Sequence, residues 1–217
     1  MIEKRIFICG PNRSGTSLLR FIFNQQDFIE LKLNESNFFN RIKKNKNTKK
    51  SLINLLLNSD KFCIWVKDKD IIPKIVNKNY PDFFKIYDQF LINSIKANIN
   101  TKFLGEKTTY LEFSFLNYKK FYKNNVKFVQ IIREPSATFN SQIFYKGNKQ
   151  KINFIKWNLK WLISFFLGFF FSKVFKKNFL VIKYENLIMK HNFVQDKLNF
   201  FLQIQNFKIT DDMMKNK

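Results

Sequence analysis

The segment Phe7-Ile-Cys-Gly-Pro-Asn-Arg-Ser-Gly-Thr-Ser-Leu-Leu19 constrains this chain more than any other. It reads as a short buried strand, a tight turn and the start of a helix. Gly10 and Gly15 permit the backbone geometry that a close approach to a phosphate demands. Ser14, Gly15, Thr16 and Ser17 present N–H groups at a helix N-terminus, and those donors act with the helix dipole to favour an anion. Hydroxyls at Ser14, Thr16 and Ser17 can add hydrogen bonds. The two glycines match the spacing of the nucleotide-binding pattern G-x-x-x-x-G-K-[ST], but Thr16 occupies the lysine position. A cation stands earlier instead, at Arg13. An ATPase or GTPase built this way would lack the lysine that reaches the β- and γ-phosphates. The plain alternative is a strand–helix turn that binds nothing.

A second segment, Val126-Lys-Phe-Val-Gln-Ile-Ile-Arg-Glu-Pro-Ser-Ala-Thr-Phe-Asn-Ser141, reads as a buried strand ending at Arg133, followed by a helix opened by proline. Arg133 is a forked, permanently charged donor suited to a phosphate monoester, and Ser141 lies two helical turns further on. Two shorter segments accompany these: Leu104-Gly-Glu-Lys-Thr-Thr-Tyr-Leu111 and Leu180-Val-Ile-Lys-Tyr-Glu-Asn-Leu187.

In this order the four segments resemble the sulfotransferases that use 3'-phosphoadenosine 5'-phosphosulfate (PAPS). The similarity runs from about residue 5 to residue 203 and is nearest to the glycan (heparan-type) and protein-tyrosine enzymes. It implies that Arg13, Ser14, Gly15, Thr16 and Ser17 form the 5'-phosphosulfate loop, and that Arg133 and Ser141 hold the 3'-phosphate. It also implies a P-loop-related three-layer α/β fold, PAPS as co-substrate and no metal. Glu106-Lys107-Thr108 resembles the Glu-Lys-Ser/Thr-Pro-x-Tyr segment of the glycan enzymes, with Thr109 in place of the usual proline. The family's late basic, glycine-containing loop has no counterpart, since no glycine follows Gly168; Lys208 and Lys215 are the candidates to replace it.

Sulfuryl transfer also needs a group to take the acceptor's proton. The chain has one histidine, His191, placed too late to match the mid-chain histidine of the small-molecule enzymes. A carboxylate is left. Glu35, in Glu35-Ser-Asn-Phe-Phe39, resembles the Glu-x-x-x-Phe-Phe segment of heparan-type O-sulfotransferases. Glu35 is therefore the expected base, with Lys107 binding the sulfuryl group or orienting the acceptor, Arg13 stabilising charge, and Glu106 in reserve. A glycan is the first expected acceptor, ahead of a tyrosine hydroxyl and a small molecule. The bland alternative for Glu35 is an acid at a helix start, where acids are favoured anyway.

The rest of the chain alternates short apolar runs with helical patterns, which predicts a mainly parallel sheet covered on both faces. The strand candidates are Ile6–Cys9, Phe28–Leu33, Phe62–Val66, Phe103–Leu104, Val126–Ile132 and Phe179–Ile182. The helix candidates are Ser17–Asn24, Ser51–Leu57, Phe83–Asn98, Tyr110–Tyr122, Ala137–Tyr145, Phe154–Phe171 and Phe193–Leu202. The polar runs Lys43–Lys50 and Asn77–Pro81 are expected loops. A length of 217 residues suits one domain spanning 1–217. The first strand begins too early to leave room for a signal peptide, so a cytoplasmic protein is expected.

Charge is the remaining constraint. Lys and Arg number 39 against 16 Asp and Glu, a formal +23, yet only five of the basic residues are arginine. A chain thick in Lys, Asn, Ile and Phe carries such an excess by compositional drift, so Arg5, Arg13, Arg20, Arg41 and Arg133 are the informative cations. No nucleic-acid-binding motif appears and no nucleic-acid partner is expected. Cys9 and Cys63 read as buried hydrophobes. Trp161–Ser172 is the most apolar stretch, too short against the roughly 20 residues a bilayer span needs; it is expected as a buried helix, with peripheral membrane contact as the alternative. Two rival functions stand beside the transferase. One is a P-loop kinase or NTPase, with Phe62–Asp68 as its metal-binding strand. The other is a basic, non-catalytic protein of nucleic acid or membrane surfaces.

Overall fold

A computed structural model describes residues 4–32, 35–36, 38–42, 48–66, 68–93, 100–146 and 153–215. Five strands form one sheet: β1 (Lys4–Cys9), β2 (Ile29–Lys32), β3 (Phe103–Lys107), β4 (Val126–Ile132) and β5 (Phe179–Lys183). Their order is β2-β3-β1-β4-β5 and every adjacent pair is parallel. β4 is buried along its whole length, as a near-continuous apolar run in a parallel sheet should be.

The helices α1 (Thr16–Asn24), α2 (Phe38–Ile42), α3 (Lys49–Leu57), α4 (Asp60–Val66), α5 (Ile71–Asn79), α6 (Phe83–Asn93), α7 (Phe115–Tyr122), α8 (Pro135–Lys146), α9 (Phe154–Val174), α10 (Tyr184–Met189), α11 (His191–Leu202) and α12 (Asp211–Lys215) connect and cover the strands. A 3₁₀ turn, Leu111–Ser114, precedes α7. The strand period divides the core in two. Ile6 and Ile8 face Leu19, Ile22, Phe23 and Phe201, whereas Phe7 and Cys9 face the helices from α2 to α7. The second face is built of rings: Phe7 lies 4.7 Å from Tyr118 and 5.2 Å from Phe128, and Phe115 lies 5.0 Å from Phe179. The abundant phenylalanine thus packs ring on ring in one layer, edge-to-face at Phe7–Tyr118 and Phe115–Phe179 and tilted at Phe7–Phe128. The expected three-layer α/β fold is what forms, with Cys9 and Cys63 both buried and free.

Two expectations change. Phe62–Val66 is not a strand but part of α4. A five-residue apolar run does not distinguish the two; the deciding signal is Ser59 just upstream, whose Oγ accepts from Phe62 N at 3.3 Å as a helix cap. The apolar helix expected to be buried, α9, buries Trp161, Ser164, Gly168 and Phe171 but leaves most of its large apolar side chains exposed. Smaller differences follow local chemistry. α5 was unforeseen because Pro73 interrupts its pattern, yet proline in a first helical turn breaks no hydrogen bond. Thr48 caps α3 through Ser51 N at 3.2 Å, so Lys49 and Lys50 are helical rather than loop; residues 43–47 lie outside the described residues, as do 94–99 of the helix expected to reach Asn98.

Candidate active site

Because all five strands run the same way, their carboxyl ends share one edge of the sheet. β1 runs into the Gly10–Gly15 loop, β2 leads towards Glu35, and β3 ends on Lys107. β4 is followed by Arg133, and β5 by Tyr184.

The loop after β1 closes on itself. Ser14 donates to Pro11 O twice, from N at 3.3 Å and from Oγ at 2.7 Å. Ser14 is fully buried, so its hydroxyl serves the turn and does not face outward as expected. Thr16 is also buried, while Arg13 and Ser17 are exposed. Gly15 precedes α1 with φ 103°; among the described residues no side chain caps the helix, and its first turn holds no acid. The helix begins its own ladder with Leu19 N donating to Gly15 O at 3.0 Å. The earlier N–H groups therefore sit at an uncapped positive end, the arrangement that receives an anion.

The loop has no slack. Gly10 has φ 134°, and a Cβ there would stand 2.2 Å from Ile131 O; one on Gly15 would stand 2.5 Å from the Tyr184 ring. Arg13 adopts φ 65° without being glycine, a cost the surrounding contacts must offset. Gly10→Ala is expected to destabilise the fold by about 1–3 kcal/mol, since the clash is with backbone that cannot swing aside. Denaturant unfolding monitored by circular dichroism measures this; an unchanged midpoint at unchanged slope would mean the turn is looser than described.

The cations expected here gather around the loop, though not in the expected pairs. Arg13 Nε donates to Ser141 Oγ at 3.2 Å, and its guanidinium lies 4.6 Å from the Tyr145 ring centroid. Arg133 lies 4.6 Å from the centroid of Tyr184, the ring that packs on Gly15. Ser141 therefore accompanies Arg13 rather than Arg133. Glu134 holds the turn between them: its carboxylate accepts from Ser136 N at 3.0 Å and Ala137 N at 2.7 Å, and bonds from Ser136 and Ala137 draw its pKa down. Its own N–H donates to Glu185 Oε1 at 2.9 Å, tying β4's exit to the start of α10.

On the other side of β1, Lys107 Nζ lies 2.6 Å from Glu35 Oε1. Two residues 72 apart in sequence thus form one half-buried ion pair at the sheet edge. Glu106 faces the other way. It is buried and accepts from Ser36 N at 3.0 Å and Ser36 Oγ at 3.1 Å. Burial raises its pKa, against the pull of Ser36 and Tyr87 donors. Its oxygens are engaged inside, so the reserve base of the sequence reading is instead the residue that pins the chain next to Glu35.

Sequence reasoning gave no role to three contributors, although Arg20 was among its informative cations and Tyr184 lay in a quoted segment. Glu112, in the 3₁₀ turn, accepts from Gly10 N at 3.1 Å and also bonds Ser164 Oγ of α9; burial raises its pKa. Its signal was a single acid inside the apolar run Leu111–Leu116. Arg20, one turn into α1, is half-buried: desolvation lowers its pKa while the charge of Glu35 opposes that. Tyr184 is the ring between Gly15 and Arg133. Of the five arginines, 13, 20 and 133 collect at this edge, whereas Arg5 at the opposite end of β1 is held by Asp88 at 2.6 and 3.0 Å; the side chain of Arg41 lies outside the described residues. Lys208 is no substitute for a basic loop over this edge. Its backbone is clamped by Gln26 at 3.0 and 2.9 Å, beyond the far end of α1, ~13 Å of helix away. The Lys215 side chain lies outside the described residues.

Comparison with known proteins points in one direction. A family model described as "Sulfotransferase family" matches residues 5–205. Three solved structures share the fold. The sulfotransferase domain of the Synechococcus PCC 7002 olefin synthase has a TM-score of 0.59 at 15% identity, over 99% of this chain and 80% of that one. The sulfotransferase domain from the curacin biosynthetic pathway has a TM-score of 0.58 at 15% identity, over 98% and 77%. A sulfotransferase from Alicyclobacillus acidocaldarius has a TM-score of 0.56 at 14% identity, over 98% and 89%. No curated protein matches the chain.

Proposed function

We propose, because this chain belongs to the sulfotransferase family, that it moves a sulfuryl group from PAPS to a hydroxyl or amine, a glycan first among the acceptors. The observation that carries this reading is the meeting of two features at one sheet edge. One is the uncapped start of α1 with Arg13 and Ser17 exposed beside it. The other is the Glu35–Lys107 pair. The first suits the 5'-phosphosulfate and the second suits a reacting hydroxyl.

In the transfer, an acceptor oxygen or nitrogen forms a bond to sulfur as the bond from sulfur to the bridging oxygen of the 5'-phosphate breaks. The acceptor proton passes to the Glu35 carboxylate, and 3'-phosphoadenosine 5'-phosphate leaves. Negative charge grows on the bridging and sulfuryl oxygens, where Arg13 and the N–H groups of the loop would stabilise it. Lys107 keeps the carboxylate placed for its proton, so alignment is in place before reaction. Arg133, with Tyr184 behind it, is assigned the 3'-phosphate. Ser141 supports Arg13 in this scheme. The glycan preference rests on Glu35 and Lys107, the two positions similar to the glycan enzymes. The kinase alternative loses its support: Asp68 follows a helix rather than a strand, and its Oδ1 accepts from Asp70 N at 2.9 Å.

Donor selectivity tests the assignment. Calorimetry should find 3'-phosphoadenosine 5'-phosphate bound about 10- to 150-fold more tightly than AMP, the worth of one charge-assisted contact of about 1.5–3 kcal/mol. Arg133→Ala should erase the difference while leaving AMP affinity nearly intact. Equal affinities in the natural protein would sink the 3'-phosphate assignment. A screen of hydroxyl and amine acceptors with labelled PAPS then identifies the substrate class. Transfer from ATP with magnesium, and none from PAPS, would overturn the whole proposal.

A further inference from the structure

α9 has two faces with different tasks. Its inner face belongs to the domain: Gln130 Nε2 donates to Ser164 O and Oγ, both at 3.0 Å, and Ser164 Oγ also meets Glu112. The backbone at Gly168 lies so near the sheet that a Cβ would stand 1.6 Å from Gln130 Oε1. By length and composition the helix could cross a bilayer. A crossing would nevertheless tear these buried polar bonds from their partners, which hydrocarbon does not replace.

The outer face is apolar, and none of the described residues covers it. Only 22% of the helix's most apolar window is buried. Ile155, Leu159, Leu162, Phe166 and Phe169 are 79%, 58%, 44%, 61% and 58% exposed. Their spacings of four, three, four and three residues place them in one stripe along the helix, ~21 Å long. Single exposed apolar side chains need no explanation, but a continuous stripe does. Exposed lysines sit at its ends, Lys156 in its first turn and Lys173, Lys176 and Lys177 beyond its last ring. The surface continues past the C-terminal end of α9 into a cavity of 1110 Å³ floored by β5 and walled by α11, where Lys197 lies 4.3 Å from the Phe193 ring centroid and Asp196 is the one acid among four lysines of the described lining.

We propose that this face docks on an anionic lipid bilayer, with α9 lying in the interface plane, its stripe among the acyl chains and its lysines at the headgroups. Charge selects this occupant. From Pro135 to Tyr184 the chain has nine Lys and no Asp or Glu. A second copy would bring the same lysines together across a twofold axis with no acid in the segment to neutralise them. An anionic surface turns each of them into attraction. The inference is independent of the donor and acceptor assigned above.

Co-sedimentation with vesicles tests it, using phosphatidylcholine alone and phosphatidylcholine with about one-third phosphatidylglycerol. The natural chain should partition at least about tenfold more strongly onto the anionic vesicles. The double variant Phe166→Asp, Phe169→Asp should lose at least about tenfold of that affinity with an unchanged melting temperature, both sites being solvent-facing. Should that variant fold poorly, Leu159→Ser with Phe166→Ser carries the same test. Three results would overturn the proposal: no preference for the anionic vesicles, a stripe variant that binds them as well as the natural chain, which reduces the effect to charge alone, or a lipid-free dimer in sedimentation equilibrium that the stripe variant dissolves. Each leaves the sulfuryl-transfer reading untouched, since nucleotide binding is measured without lipid.

Discussion

Glu35→Gln is expected to lower turnover by about 10²–10⁴-fold, the usual worth of a positioned proton acceptor, while 3'-phosphoadenosine 5'-phosphate binds as before. The amide keeps the shape of the carboxylate but cannot take the acceptor proton. It also gives up the charge that Lys107 Nζ meets at 2.6 Å. Two controls separate the chemical role from this structural one. Lys107→Met removes the ion pair and leaves the carboxylate, so it should cost less in turnover than Glu35→Gln if Glu35 takes the proton. In both variants 3'-phosphoadenosine 5'-phosphate should bind as it does to the natural chain, which places the lost turnover in the chemical step. An unchanged rate in Glu35→Gln, measured with saturating donor and acceptor, would remove Glu35 from the chemistry. Glu106 would not inherit the role readily, because Ser36 already occupies both its oxygens from inside the core.

Arg13→Ala is expected to lower turnover by about 10²–10³-fold, comparable to the loss of one preorganised donor at a site of growing negative charge. Binding of the product nucleotide should fall by no more than about tenfold, since that ligand has no sulfuryl group for Arg13 to meet. The contrast is the useful quantity. Equal losses in turnover and in product affinity would make Arg13 a binding residue alone. The backbone at Arg13, at φ 65°, is already in a region that a non-glycine side chain rarely occupies. A structural effect of the substitution would therefore appear in the melting temperature, which should stay unchanged. Ser141→Ala, which removes only the partner 3.2 Å from Arg13 Nε, should cost less than Arg13→Ala.

The loop after β1 was legible because its geometry is local. Glycines five residues apart, a strand before them and a helix after them occupy one continuous segment, so spacing alone predicted the turn and the helix start. The parallel sheet was legible for a related reason: alternation of short apolar runs with helical patterns restricts how the runs can pair. The failures share a cause as well. Phe62–Val66 is an apolar run too short for its period to be read, and a serine cap upstream outweighed its β-like composition. Ser14 was expected to face a phosphate, yet the turn used its hydroxyl at Pro11 O. The family resemblance placed Ser141 with Arg133, and in the structure its Oγ meets Arg13 instead, 128 residues away in sequence.

By itself the amino-acid sequence determined the family, the α/β class and the strand–turn–helix after β1, since these depend on residue type and on spacing within single segments. Only the tertiary structure decided which charges meet. The Glu35–Lys107 pair, the inward turn of Glu106 and the brace from Glu112 to Gly10 each join segments that parallel crossovers bring to one sheet edge. The exposure of α9 was decided at the same level. Hydropathy states that a surface leaves water at a gain, but what covers that surface depends on where the rest of the chain runs; here the sheet takes one side of the helix and leaves the other bare.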